Sequence, residues 1–226
     1  MPQSKRFKEA QTLVDPKKIY SPEEAIELVK KTSTVKFDAA VEVHLRLGID
    51  PKKSGEQVRG VVVLPHGTGK TKRVCAFVSP DKETEANEAH ADRVGGDELI
   101  AEITQSGKID FDVAIATPDM MPRLAKLAKL LGPRGLMPNP KTDTVGTHVK
   151  KMVEEAKAGK ISWRNDDTGN VHQLIGKVSF DTPKLVENLH ALLESVRRAK
   201  PATAKGIYIQ TAVLTSSMGP AIHFAT

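Results

Sequence analysis

The segment that most resembles a ligand-binding motif is Leu64–Thr71, whose final Gly-Lys-Thr matches the end of a phosphate-binding P-loop. That motif also needs a glycine five positions before Gly69, so that backbone N–H groups can surround a phosphate. The sequence has Leu64 there, followed by Pro65. The segment therefore favours a linker over a nucleotide site. No G-x-G-x-x-G pattern follows a strand elsewhere, so a dinucleotide site is unsupported as well.

The histidine, cysteine and acidic residues lack the spacing of a metal or catalytic site. The seven histidines lie at positions 44, 66, 90, 148, 172, 190 and 223. None is three or four residues from another, which leaves only a dispersed three-ligand site open. Cys75 lies in an apolar stretch that favours a buried, unreactive thiol, and Asp166 and Asp167 occupy a turn sequence. The sequence therefore predicts no enzyme, no metal and no cofactor.

The loop Gly132–Lys141 contains three prolines and two glycines in ten residues. This composition predicts a rigid, non-helical loop, and a basic helix precedes it. One interpretation is a helix stop followed by a shaped connection. The other is a preformed loop that presents Arg134 and Lys141 to a phosphate backbone or a partner. The spacing alone favours neither.

Two further segments have residue types that contact RNA. Thr211 and the Thr-Ser-Ser-Met-Gly sequence of 215–219 combine hydroxyls with a glycine that allows close backbone approach. Lys36 and Phe37 place a cation beside an aromatic ring that could stack on a base or sugar. The alternatives are a polar turn at 215–219 and a core position for Phe37. Because only 4% of residues are aromatic, recognition would depend on shape and backbone contacts.

The composition limits the class of protein. The 226 residues include 34 Lys and Arg against 28 Asp and Glu, which gives a net charge of +6. No apolar run approaches the roughly 20 residues of a membrane helix, and the polar N-terminus is unlike a signal peptide. A single cysteine excludes an internal disulfide and is typical of a reducing, cytosolic compartment.

The basic excess lies at the two ends of the chain. Residues 1–66 carry 12 basic and 9 acidic side chains, residues 67–158 carry 14 of each, and residues 159–226 carry 8 and 5. This asymmetry suits different roles for different domains and a polyanionic partner, and the alternative is a chance difference of three charges per segment.

Both ends predict helices and antiparallel strands. The Ser-Pro-Glu-Glu sequence from Ser21 forms a capping box that predicts a helix to about Thr32. Alternating apolar and polar residues over 40–47 predict a strand with one exposed face. The other predicted elements are strands at 58–64, 160–165, 171–180 and 206–214, a hairpin turn at 166–169 and a helix at 182–199.

The middle predicts a small parallel α/β layer, because strands and helices alternate there. The predicted strands are 73–79 and 111–117, and the predicted helices are 82–91, 97–106, 119–131 and 147–158. The simplest architecture joins the ends into one discontinuous α+β domain, 1–67 plus 159–226, with an α/β domain inserted at 68–158.

Several segments, in order and over essentially the full length, resemble bacterial members of the large-subunit ribosomal protein L-one family. They are KFD at 36–38, VEV at 41–43, LGID at 47–50, VRG at 58–60, LPHG at 64–67, FDV at 111–113, TPD at 117–119, LGPRGLMPNPK at 131–141, KAG at 157–159, RND at 164–166, GK at 176–177, KG at 205–206 and SMG at 217–219.

The resemblance implies a split βαβ-like α+β domain formed by both termini, with a Rossmann-like insert. It implies a non-enzymatic, cytoplasmic, ribosome-associated protein that binds large-subunit rRNA at the mobile stalk near the tRNA exit site. It further implies transient contact with exit-site tRNA and repression of translation through its own operon mRNA. A monomer off the ribosome is expected, without a membrane or a small-molecule substrate.

The resemblance also implies which residues bind RNA. The predicted set on the terminal domain is Lys36, Phe37, Arg164, Asp166, Thr168, Thr211, Thr215, Ser217, Met218 and Gly219. Separately from the resemblance, the composition of the loop at 132–141 makes Arg134 and Lys141 the candidate second RNA contact on the insert. The sequence departs from the family at Ala40, where a hydroxyl is common, and at Asp167, where lysine is usual. Ser217 replaces a common threonine and keeps its hydroxyl.

Two other functions stay open. One is a nucleotide-dependent enzyme built on the α/β insert, and the other is a module that binds only proteins. Binding to nucleotides and to rRNA fragments discriminates among the three.

Overall fold

The computed structural model describes residues 4–51, 53, 55–204 and 206–226, so Lys205 of the KG segment lies outside the described residues. The chain forms two compact units, one from residues up to 69 together with 161–226, and the other from residues 70–160. Both contain helices and sheets, which confirms the mixed α/β class. Among the residues just given, no helix combines the length and hydrophobicity of a membrane span.

The elements are numbered here in chain order. The α-helices are α1 (Lys5–Thr12), α2 (Pro22–Thr32), α3 (Glu83–Glu88), α4 (Asp97–Ser106), α5 (Met121–Leu124), α6 (Ala128–Leu131), α7 (Val149–Ala158) and α8 (Thr182–Arg198). The strands are β1 (Ala40–Leu47), β2 (Arg59–Val63), β3 (Val74–Phe77), β4 (Arg93–Gly95), β5 (Val113–Ala116), β6 (Lys160–Arg164), β7 (Asn170–Lys177), β8 (Ile209–Ser216) and β9 (Ile222–His223).

The first unit is built on an antiparallel sheet in the order β7-β1-β8-β9. Val41, Val43 and Leu45 of β1 are buried on one face, where they pack in a core with apolar residues of α2 and α8. Burying such a side chain stabilises the fold by about 1.5–3 kcal/mol. The strand predicted at 40–47 with one wet face is therefore confirmed.

The start of α2 confirms the predicted capping box. The Glu24 N–H donates to Ser21 Oγ at 3.3 Å, and the Ser21 N–H donates to Glu24 Oε2 at 3.4 Å. These bonds satisfy backbone donors that have no partner within the helix. The helix then buries Ala25, Ile26 and Val29 against the sheet.

The predicted hairpin around 166–169 is wrong as a strand pair. The chain does turn there, but a single bridge between Asn165 and Val171 joins the two strands. Beyond it β6 pairs with β2, while β7 pairs with β1. The reason is tertiary, because the Trp163 ring of β6 packs in the core and its Nε1–H donates to Ser195 Oγ of α8 at 3.0 Å.

The second unit has a three-stranded parallel sheet in the order β4-β3-β5. All four residues of β3 are buried. Cys75 and Phe77 lie in one core with α4, α5 and α6, while Val74 and Ala76 lie in another with α3 and α7. The two helical layers therefore cover both faces of this sheet, as is typical of parallel strands.

Several predicted elements of the chain have different bounds in the structure, such as the strand predicted at 171–180, which spans Asn170–Lys177. The helix predicted at 119–131 is broken into α5 and α6, with 3₁₀ turns at 118–120 and 125–127. Pro122 contributes because it has no N–H to donate within a continuous helix. The strand predicted at 206–214 runs instead from Ile209 to Ser216.

Candidate nucleic-acid interface

The face of the β7-β1-β8-β9 sheet opposite α2 and α8 is exposed or half-buried, and it is called the open face. The residues on this face follow from the strand register, because directly paired residues point to the same side of a sheet. The open face consists of Glu42, His44, Arg46, Asn170, His172, Leu174, Thr211, Val213, Thr215 and His223. Of the predicted residues, Thr211 and Thr215 therefore lie on this surface.

The remaining predicted residues of this unit lie near the two ends of β1. Ser217, Met218 and Gly219 follow the end of β8 at which β1 begins. The turn of Asp166 and Thr168 lies where β1 ends, since Leu47 N donates to Gly169 O. The eight residues of the strand separate these ends by about 25 Å.

At the first end, a tight turn presents Met218 to solvent. The Gly219 N–H donates to Ser216 O at 2.8 Å, and Thr215 Oγ1 donates to Gly219 O at 3.3 Å. Met218 has a φ of 64° and is 71% exposed. Gly219 is required, because a Cβ there would lie 2.3 Å from Ser216 Oγ. The turn therefore holds a large apolar side chain outward.

The same turn is joined to the start of β1 through Ser217. Its N–H donates to Ala40 O at 3.0 Å, and its hydroxyl accepts from the Ala40 N–H at 3.2 Å. Lys36 and Phe37 immediately precede this strand. Phe37 is 58% exposed, so the alternative core position is wrong. Lys36 is exposed and forms no ion pair with any described residue.

At the other end, Asp166 organises its own turn. Its carboxylate accepts hydrogen bonds from Thr168 N at 2.9 Å and Asn170 N at 2.7 Å, and also from the Thr168 hydroxyl. Partial desolvation acts to raise the pKa of Asp166, but these hydrogen bonds together hold it well below its usual range. Asp166 and Thr168 therefore shape the turn through bonds to each other.

A groove of about 540 Å³ lies beside this turn. Basic and acidic side chains both line this groove, so the negative charge of Asp167 lies near positive charges. Arg164 is exposed and forms no ion pair within the described part of the chain. The charged and aromatic residues that line the groove are Arg59, Trp163, Arg164, Asp166, Asp167 and His172.

Sequence reasoning missed three residues of the open face. Arg46 is exposed, and its Nε–H donates to Gln210 Oε1 at 3.3 Å. His44 and His172 face each other across β1 and β7, with 2.8 Å between their Nδ1 atoms. Burial and then the neighbouring His172 lower the pKa of His44, against the opposing effect of Glu42. The alternation along each strand carried a signal for these residues, but the register that pairs the strands did not follow from it.

The candidate contact on the insert lies in a strongly basic stretch. Residues 120–142 contain five basic and no acidic side chains, whereas residues 80–119 contain 11 acidic and 3 basic ones. The zero net charge of residues 67–158 therefore combines an acidic stretch with a basic stretch. Arg134 and Lys141 are both exposed and form no ion pair with described residues. Asn139 Oδ1 accepts from the Lys141 N–H at 2.9 Å and fixes the end of the loop.

The other chemical candidates are structural. Burial raises the pKa of the Cys75 thiol to about 12, which makes it the unreactive thiol that was predicted. In the P-loop-like segment, Asn188 of α8 accepts from the His66 N–H and donates to Gly67 O. These bonds hold the segment against α8. Within the described residues, no group of three His, Cys, Asp or Glu side chains could hold a metal ion.

The sequence matches the family model described as "Ribosomal protein L1p/L10e family" over residues 29–220. The match covers most of the chain, including β1, β7, β8 and the whole second unit. The fold and the match together define a large-subunit ribosomal protein that binds rRNA. The chain belongs to the ribosomal protein L1p/L10e family. Membership confirms the predicted rRNA partner and the ribosome-associated, cytoplasmic location, and it favours a structural role over an enzymatic one.

Proposed function

We propose that the open face and the two ends of β1 form the rRNA-binding surface, which docks on the mobile stalk near the tRNA exit site. The observation that carries this proposal is a polar sheet face with two exposed apolar side chains at the end where β1 begins. Phe37 is 58% exposed and Met218 is 71% exposed. Exposed apolar side chains, beside hydroxyls and cations that form no ion pair with a described residue, suit the ribose and phosphate surface of folded RNA.

The predicted residues then divide into four roles, three of contact and one of positioning. Phe37 and Met218 pack on ribose or a base. Lys36 and Arg164 neutralise phosphates, since neither is paired with a described carboxylate. Thr211 and Ser217 contribute hydroxyl contacts. A further hydroxyl contact is missing, because this chain has Ala40 where a hydroxyl is common in the family.

Asp166, Thr168, Thr215 and Gly219 position these groups. Their hydrogen bonds and close contacts lie within the turns themselves. Substituting them would weaken RNA binding by disturbing the turn rather than by removing a direct contact.

Six narrower proposals complete this function, and all but the last come from the family resemblance. The protein is of the bacterial type and represses translation of its own operon through a similar mRNA site. It contacts exit-site tRNA transiently, and it is a monomer off the ribosome. It has no enzymatic role. Arg134 and Lys141 form a second, weaker RNA contact, supported by the acid-free stretch in which they lie.

The test compares three proteins by filter binding to an rRNA fragment spanning the stalk. They are the full chain, a terminal-domain protein with 1–67 joined to 159–226, and the insert 68–158. The terminal-domain protein should retain most of the specific affinity, and circular dichroism checks its folding. Binding retained by the insert alone would show that the surfaces are assigned the wrong way round.

Two controls separate the competing functions. Equilibrium dialysis with ATP and GTP should give no saturable binding, whereas binding would support a nucleotide-dependent enzyme. Co-sedimentation with purified large subunits should be saturable. A chain that binds ribosomal proteins but no rRNA fragment would favour the protein-binding module.

A further inference from the structure

The centre of the open face holds two histidines whose rings contact each other. His44 of β1 and His172 of β7 are directly paired in the register. Their Nδ1 atoms are 2.8 Å apart, and the ring centroids are 5.0 Å apart at an interplanar angle of 61°. A separation of 2.8 Å between two nitrogens is a hydrogen bond, so one ring donates a proton and the other accepts it.

This shared proton fixes what the two outer nitrogens can do. In the neutral pair, the ring that donates through Nδ1 has a bare Nε2, and the ring that accepts carries its proton on Nε2. One added proton makes both Nε2 atoms donors and leaves the bridge between the rings intact. A second added proton would set two N–H groups against each other. The pair is therefore suited to gain a single proton.

The contact between the rings also argues against a metal at this place. Two imidazole nitrogens bound to one tetrahedral zinc, each at about 2.0–2.1 Å, lie roughly 3.3 Å apart. The two Nδ1 atoms are closer than that, at 2.8 Å. They are placed to share a proton.

Charged groups of both signs surround the pair. Glu42 Oε2 lies 3.9 Å from His44 Nε2, and Asp166 Oδ2 lies 3.6 Å from His172 Nε2. Neither distance is a hydrogen bond, so both outer nitrogens remain available to a ligand. The other titratable or charged groups on this side are Arg46 of β1, His223 of β9 and, in the groove beside β7, Arg59, Arg164 and Asp167.

In the free protein, the His44 ring is expected to be neutral at neutral pH. Burial and the second ring lower the pKa of His44, and Glu42 opposes them only in part. A phosphate oxygen at either outer nitrogen would accept the N–H group of that nitrogen and place a negative charge beside the pair, which stabilises the protonated form.

We propose that the His44–His172 pair binds a phosphate oxygen of the RNA backbone in its singly protonated form, so that RNA binding takes up a proton. The proposal rests on the proposed function, since it requires rRNA to lie on the open face. It adds two contact residues to the predicted set and makes the affinity depend on pH. By linkage, a complex that binds more protons than its free components forms more tightly as the pH falls.

The experiment measures binding of the full-length protein to the stalk rRNA fragment between pH 8.0 and pH 6.0 at constant salt. Affinity should rise by up to about tenfold per pH unit where the free pair is neutral, which is the limit for one proton. Isothermal titration calorimetry in two buffers of different ionisation enthalpy gives the proton uptake directly. We expect an uptake between zero and one at pH 7.

Three variants assign the effect. His44→Gln and His172→Gln should each flatten the pH profile and abolish the proton uptake, with the loss of affinity largest at pH 6. His190→Gln is the matched control, because His190 is exposed on α8 on the covered side of the sheet. It should keep the profile of the unaltered protein.

The outcomes separate this proposal from the function on which it rests. Tight binding of rRNA with no proton uptake, or with an uptake that survives both His44→Gln and His172→Gln, overturns the histidine contact and leaves the rRNA surface in place. Absence of rRNA binding by the unaltered protein at every pH overturns the proposed surface and the histidine contact together. Because both side chains are partly exposed, the variants should fold, and circular dichroism verifies it.

Discussion

The two units use their sheets in opposite ways. In the first unit, helices cover one face of the β7-β1-β8-β9 sheet, and the open face carries polar side chains. In the second unit, helices cover both faces of the β4-β3-β5 sheet, and every residue of β3 is buried. An antiparallel sheet can leave one face for a ligand, whereas a small parallel sheet buries both.

This difference supports the proposed division of RNA contacts between the two units. The first unit offers a continuous strand surface between two shaped turns, on which groups are held by backbone pairing. The second unit offers only loops and outer helix surfaces, and its charge is divided between an acidic stretch at 80–119 and a basic stretch at 120–142. We therefore expect specific recognition from the first unit and electrostatic attraction from the second.

The largest expected effect separates the two faces of β1. Leu45 is 1% exposed in the core, and its neighbour Arg46 lies on the open face. Leu45→Ala should lower the free energy of unfolding by about 2–5 kcal/mol through lost burial and a cavity. Arg46→Ala should change it by less than about 0.5 kcal/mol. Urea unfolding measures both free energies. Equal losses of stability would mean that Arg46 is packed in the fold as Leu45 is, so that the open face is not available to a ligand.

The next effect tests the turn at the start of β1. Met218→Asp should weaken rRNA binding by about 30-fold, close to 2 kcal/mol, because it places a negative charge against phosphate. Aspartate tolerates a positive φ better than most residues, so the turn itself should persist. Ile19→Asp is the control, since Ile19 is 68% exposed and lies outside the open face. Equal losses in both variants would indicate a general charge effect.

A smaller effect is expected on the insert. Lys141→Glu should weaken binding by about fivefold, close to 1 kcal/mol, and the loss should shrink as salt rises. Lys108→Glu makes the same charge change at an exposed position of the acidic stretch and should have less effect. Filter binding at two salt concentrations measures both. If the two variants lose affinity equally, the basic stretch has no contact of its own.

The smallest effect concerns the turn at the other end of β1. The folded pKa of Asp166 is depressed, so its contribution to stability is present above the unfolded value of about 4 and is lost as the pH falls below it. Because the carboxylate is partly exposed, Asp166→Asn should cost less than about 1 kcal/mol at pH 7. The variant should also lose less stability than the unaltered chain between pH 5 and pH 3. Parallel acid profiles would remove Asp166 from the turn.

Local sequence patterns correctly predicted several elements of the fold. The capping box at Ser21, the alternation along 40–47 and the apolar run around Cys75 each depend on neighbours in sequence, and each is present in the structure. Residue types alone identified Lys36, Phe37, Thr211 and the 215–219 segment as RNA-binding candidates, but left a polar turn and a core position open as alternatives. Arg164, Asp166 and Thr168 came from the family resemblance, because hydroxyls and carboxylates in turns carry no distinctive pattern of their own. Their roles in binding stay predictions.

Tertiary structure alone decided what lies beside what. His44 and His172 are 128 positions apart, and only the register of β1 with β7 brings their rings together. Tertiary packing also pairs β6 with β2, although the turn at 166–169 favours a hairpin between β6 and β7. Periodicity and caps are fixed by residues within a few positions of each other. Strand partners depend instead on which arrangement buries groups such as Trp163, and that is a property of the whole chain.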